Sequence, residues 1–163
     1  AEPKNSGVQV FDLGRLDSLP RPDGPRTRGD VPRLEADGYI DTIGSSHNIV
    51  DFQEEGKILV VGIADDDTSA CDVGNGETVA ILDVSTDPFD PPVDCLQLGS
   101  VLNTENQPPY AMMNSYPGYV HDAQCFVYNG PDTKFTGTPM CIFFAETEIG
   151  IYDMMNRELI STF

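Results

Sequence analysis

Val79-Ala80-Ile81-Leu82-Asp83 and Ile149-Gly150-Ile151-Tyr152-Asp153 decide the fold, and Val8-Gln9-Val10-Phe11-Asp12 is a third version of the same phrase. Each is a short apolar run that ends in aspartate, and the three aspartates stand 71 and 70 residues apart. The two histidines keep the same step. His47 in Ser46-His47-Asn48-Ile49-Val50 and His121 in Val120-His121-Asp122-Ala123-Gln124 are 74 residues apart. A recurrence of this kind is a statement about architecture, because a unit that recurs buries its apolar face against its neighbours.

Working outward from these runs, β-branched or aromatic residues at alternate positions predict strands over 7–12, 46–52, 57–63, 78–83, 94–98, 121–128, 139–145, 148–153 and 158–162. Turn chemistry separates them: Glu55-Gly56, Asp90-Pro91-Pro92, Asn129-Gly130-Pro131-Asp132 and Gly137-Thr138-Pro139. No window offers three turns of helical periodicity, and Gly14 to Leu19 supports at most one short turn. Residues 13–39 and 99–118 read as long irregular connections.

Each full unit then reads as four antiparallel strands that begin at the histidine and reach the aspartate at the end of the third. Four antiparallel strands repeated in tandem describe a β-propeller blade. The expectation is therefore an all-β partial propeller: 1–12 as the end of a preceding blade, 13–39 a loop, 40–98 a blade, 99–118 an insertion, 119–163 a blade. Closed propellers need at least about four blades, so the remaining blades are expected from a longer parent chain or from partner subunits. The opening Ala1-Glu2-Pro3-Lys4, without an initiator methionine or signal sequence, reads as a processed or excised piece.

Composition narrows the function classes. Twenty-seven acids against nine bases leave a net charge of −18, which argues against nucleic acid or an anionic membrane surface as a partner. No apolar run approaches the roughly 20 residues of a membrane span. The four cysteines form no Cys-x-x-Cys, so a zinc ribbon is excluded and a disulfide pair of pairs is expected. Cys125 and Cys141 lie on opposite arms of one predicted hairpin, and pairing them leaves Cys71 for Cys95. An even set of disulfides suits a protein outside the cytosol.

Four groups of residues carry chemistry. His47 and His121, with Asn48, Asp122 and Gln124 beside them, begin the innermost strands and are candidates for a ligand site at a channel mouth. The structural alternative is that the histidines order the repeat, since an active site usually occurs once and a scaffold device recurs. Asp65-Asp66-Asp67 and Asp72, with Asn75 and Glu77 nearby, form the densest set of oxygen ligands and the weak candidate for calcium, although their spacing does not match an EF-hand. Asp12, Asp83 and Asp153 are expected to cap turns through their side chains. Arg28-Gly29-Asp30 is an integrin-type tripeptide and too short to carry an argument. No phosphate loop, dinucleotide fingerprint or Gly-x-Ser-x-Gly elbow is present.

Gly44-Ser45-Ser46-His47-Asn48-Ile49, Val79 to Ser85, and Tyr119 through Asp132 with its His-Asp-x-Gln-Cys and Asn-Gly-Pro-Asp elements resemble the choice-of-anchor B family over roughly residues 40–163. That resemblance implies a secreted or surface protein built from LVIVD-type propeller repeats and no catalytic residues. The chain departs from the pattern at 66–78, which lacks a glycine-rich turn beside Cys71, and at 99–118. The functional expectation is a non-enzymatic extracellular binding or adhesion module with an unidentified extracellular ligand. The alternative is a lactonase-like hydrolase in which Asp122, Asn48 and acids of a partner blade hold a calcium ion that polarises a substrate oxygen.

Overall fold

The computed structural model describes residues 7–19, 24, 34–63, 71, 78–98, 119–146 and 148–163. The strands are β1 (Val8–Val10), β2 (Gly38–Ile40), β3 (Asn48–Phe52), β4 (Lys57–Val61), β5 (Thr78–Asp83), β6 (Val93–Gln97), β7 (Val120–Val127), β8 (Pro139–Ala145), β9 (Ile149–Asp153) and β10 (Glu158–Thr162). They form three antiparallel sheets. The first is β1-β2, the second β3-β4-β5-β6 and the third β7-β8-β9-β10, each four-stranded sheet following chain order. The described chain is all-β, with 3-10 turns only at Leu13–Ser18 and Gln53–Glu55.

One expectation needs correction. The segment 13–39, read as a loop, ends in β2, which pairs with β1 through Val8–Ile40, Gln9–Tyr39 and Val10–Gly38. Gly38-Tyr39-Ile40 is too short to show a period in sequence. Its pairing is fixed from outside, by Val8 and Ile40 burying against the second sheet, and by Asp37, whose carboxylate accepts from the Asp12 amide and from the Arg15 guanidinium.

The second sheet is covered on both faces, and this explains its sequence. Leu59, Val61, Val79 and Ile81 pack toward the third sheet with Val120, Cys141, Phe143 and Tyr152. The intervening Val60, Ala80 and Leu82 turn the other way and pack with Val8, Ile40 and Ile43. A strand alternates its side chains between faces, so two apolar faces require a continuous apolar run. Lys57-Ile58-Leu59-Val60-Val61 and Thr78-Val79-Ala80-Ile81-Leu82 are such runs. Phe52 and Phe143 are 1% exposed, and burying each contributes about 2–3 kcal/mol.

The first strands of the two large sheets, β3 and β7, run beside one another. Disulfides join Cys71 to Cys95 and Cys125 to Cys141. Cys125 and Cys141 are direct cross-strand partners in β7 and β8, with Cα atoms 4.1 Å apart, the spacing of a non-hydrogen-bonded antiparallel pair. Cys71, fully buried, is tied to the last strand of the second sheet. Two bridges are the mark of folding in an oxidising environment. Among the described residues no helix is long and apolar enough to cross a membrane.

Candidate functional site

The strand pairing brings equivalent residues of the two large sheets together at one end. His47 donates its amide to the Val61 carbonyl (3.0 Å), continuing the β3–β4 ladder by one residue. At the corresponding point of the third sheet the ladder between β7 and β8 shifts register between Val120 and Asp122, leaving His121 in the irregularity. The two imidazoles meet edge to face, with ring centroids 4.9 Å apart and planes at 79°. Tyr119 packs on both rings, its centroid 4.8 Å from that of His121 and 6.4 Å from that of His47.

Asn48 and Asp122 are the next residues along each strand, and they mirror one another. Asn48 Oδ1 accepts from the amide of Ile49 and Asp122 Oδ1 from the amide of Ala123, both at 2.8 Å. Asn48 Nδ2 then donates to Asp122 Oδ1 across the gap between strands, at 2.9 Å. The amide of one unit and the carboxylate of the next thereby clip β3 to β7.

Two members of this cluster carry no repeat signature. Glu146 lies in the β8–β9 turn, and its amide donates to the Tyr119 carbonyl at 3.1 Å. Its Oε1 stands 3.3 Å from His121 Nε2. Tyr119 donates its hydroxyl to the Gly62 carbonyl at 3.3 Å. Nothing local in the sequence marks Glu146, because its partners Tyr119 and His121 lie 27 and 25 residues earlier.

Gly62 is what permits this contact. Its φ is +62°, and a Cβ there would lie 2.5 Å from the His47 Cβ and 2.9 Å from the Tyr119 hydroxyl. Only glycine accepts both the left-handed backbone and the approach of two side chains.

Below the clip a groove of about 470 Å³ follows the first strands. Asp51, Glu54 and Asp122 line it together with Gln53 and Gln124, and among the described residues no basic one does. Of the expected ligand residues, the fold thus unites His47 with His121 and Asn48 with Asp122, and it places Gln124 further along the groove. Among the described residues no three His, Cys, Asp or Glu side chains converge in the manner of a metal centre. Asp65, Asp66, Asp67, Asp72 and the Arg28-Gly29-Asp30 tripeptide lie outside the described residues.

The opposite end of the two sheets holds a second cleft, of about 420 Å³, with Phe52, Ile81, Met154 and Met155 on its walls. Arg157 of the third sheet reaches Asp94 of the second across it. The aspartates of the opening motifs stand at this end. Asp12 accepts from the amide of Gly14, Asp83 from Ser85 and Asp153 from Met155, always the residue two positions on. That is the Asx turn expected of a short acidic side chain.

Burial pushes the Asp153 carboxyl upward, but hydrogen bonds from the amide and side chain of Asn156 and the amide of Met155 outweigh it. The result lies below the ordinary 3.8. Asp83 is lowered chiefly by the Ser85 hydroxyl, against some burial. These groups are engaged in their own turns, which marks them as structural.

Comparison with protein-family models, curated proteins and solved structures finds no match for the chain.

Proposed function

We propose that the chain is part of a β-propeller-type protein that acts as an extracellular, non-enzymatic binding module, with its ligand seat at the histidine end. One observation carries this reading. Residues at equivalent positions of two successive four-stranded sheets, His47 with His121 and Asn48 with Asp122, meet beside a groove lined by carboxylates and carboxamides. Adjacent first strands with matched polar residues are what a propeller presents to its central channel. The resemblance to the choice-of-anchor B family and the two disulfides support the same surroundings. Asp51, Glu54 and Asp122 favour a ligand bearing cationic or hydrogen-bond-donating groups over an anionic one.

A screen of the purified protein on immobilised glycans and basic peptides tests the reading, with Asp122→Ala and His121→Ala variants run in parallel. Capture of a probe by the wild type, weakened at least tenfold by Asp122→Ala at a temperature where that variant remains folded, is the expected result. Hydrolysis of an ester or lactone that depends on calcium and disappears in Asp122→Ala would overturn it in favour of the hydrolase. Capture that neither substitution alters would move the ligand away from the histidine end.

A further inference from the structure

The central strand pairs of the second and third sheets, β4–β5 and β8–β9, run in the same register. Lys57 faces Asp83 in the second sheet as Met140 faces Asp153 in the third. Counting along the strands from these anchors, Leu59 and Val61 correspond to Ile142 and Phe144, and Val79 and Ile81 to Ile149 and Ile151. In the second sheet these four positions form the face that the third sheet covers, and they are buried at 0, 0, 0 and 8% exposure. In the third sheet the same four positions belong to neither buried cluster, and Phe144 and Ile149 are each 38% exposed.

A face turned to water in an antiparallel sheet is ordinarily polar. Here the four central positions are three isoleucines and a phenylalanine. Side chains of this kind at these positions have one occupant elsewhere in the molecule, a four-stranded sheet of the same order. We infer that the outer face of the third sheet is the docking surface for a further four-stranded antiparallel sheet of the same sequence pattern, seated as the third sheet is seated on the second. This rests on reading the two sheets as units of one repeat.

A second copy of this chain fits the face less well. The inner faces of its two large sheets are already covered, so among the described residues only the equivalent outer face is free to meet this one. That arrangement would also bring two chains of net charge −18 together, at a repulsive cost. In a head-to-tail arrangement the outward side chains of β1–β2, Gln9 and Tyr39, set one amide and one aromatic ring against four large apolar positions, a poorer match than a four-stranded face. The occupant's contact side instead carries the pattern that sheets two and three present to the neighbour before them. That pattern places a large apolar residue next to a small one in the third strand, as Leu82 stands with Ala80 and Tyr152 with Gly150.

The probe is the chain extended by its own connector and third sheet, residues 99–163 repeated after Phe163 with Phe144→Leu in the repeat, so that the original Phe144 is read in a peptide of its own mass. Hydroxyl-radical footprinting reads Phe144, with the buried neighbour Phe143 as internal reference. The expected result is a several-fold slower oxidation of Phe144 in the extended chain, reversed by Ile142→Lys in the original unit, a change that leaves the melting temperature of the unextended chain in place. Equal oxidation of Phe144 with and without the extension overturns the inference. So does protection that appears in the unextended chain as its concentration rises, which would assign the face to a second copy. Failure to find a ligand at the histidine end leaves this readout untouched.

Discussion

At the scale of single residues, the aspartate that closes each third strand shows how a repeated letter becomes a structural device. Asp153 is 7% exposed, and its two oxygens take hydrogen bonds from the Met155 amide and from the amide and side chain of Asn156. Because its folded pKa is depressed, the ionised group contributes stability that is complete above the ordinary value of 3.8 and is lost as pH falls through the lower folded value. The difference in melting temperature between wild type and Asp153→Ala should therefore be constant from neutral pH down to the ordinary carboxylate range and shrink below it. At neutral pH Asp153→Ala should cost about 2 kcal/mol, the scale for losing hydrogen bonds to a charged acceptor. Denaturant titrations of both proteins at several pH values measure it, and a difference that grows on acidification would contradict the assignment. Asp12, Asp83 and Asp153 were readable as turn caps because the Asx turn is local: donor and acceptor lie two residues apart. Glu146 was not readable, because its partner His121 is 25 residues away and nothing in the intervening sequence names the pair.

At the scale of elements, the approach of β3 to β7 depends on one residue at the end of β4. Gly62→Ala should cost about 1–2 kcal/mol for the left-handed backbone alone. The clash with the His47 Cβ adds to this and separates the imidazoles. Gly137→Ala is the matching control, since Gly137 has φ +82° and open space around it. It should show the conformational cost without disturbing the histidines. Thermal melts with NMR of the histidine ring protons separate the two effects: both variants lose stability, and only Gly62→Ala moves the rings. Unmoved histidine resonances in Gly62→Ala would show that the contact does not depend on this glycine. Most large strands were legible from alternation or from unbroken apolar runs, with ends within two residues of those found. β2 was not, because three residues carry no period and their partner β1 precedes them by some 30 positions.

For the whole molecule, charge is the dominant long-range term. Twenty-seven acids and nine bases on a small sheet stack repel one another in the folded state, and the repulsion is screened over about 10 Å at 0.1 M salt. Raising sodium chloride from near zero to about 0.5 M, where screening is nearly complete, should raise the melting temperature. The first increments should have the largest effect, and a flat or falling curve in calorimetry would show that local ion pairs such as Arg157–Asp94 outweigh the net repulsion. The sequence by itself determined that the described chain is all-β, where most of its strands begin and end, and which cysteines lie on one hairpin. These are properties of period and spacing, and alternating burial writes them into the chain directly. Only the tertiary structure decided that β2 completes a first sheet, that Gly62 and Glu146 belong with the histidines, and that Asn48 clips to Asp122. Those facts arise from which faces meet. The same apolar alternation serves equally on a covered face, as at Leu59 and Val61, and on an open one, as at Ile142 and Phe144, so packing alone distinguishes them.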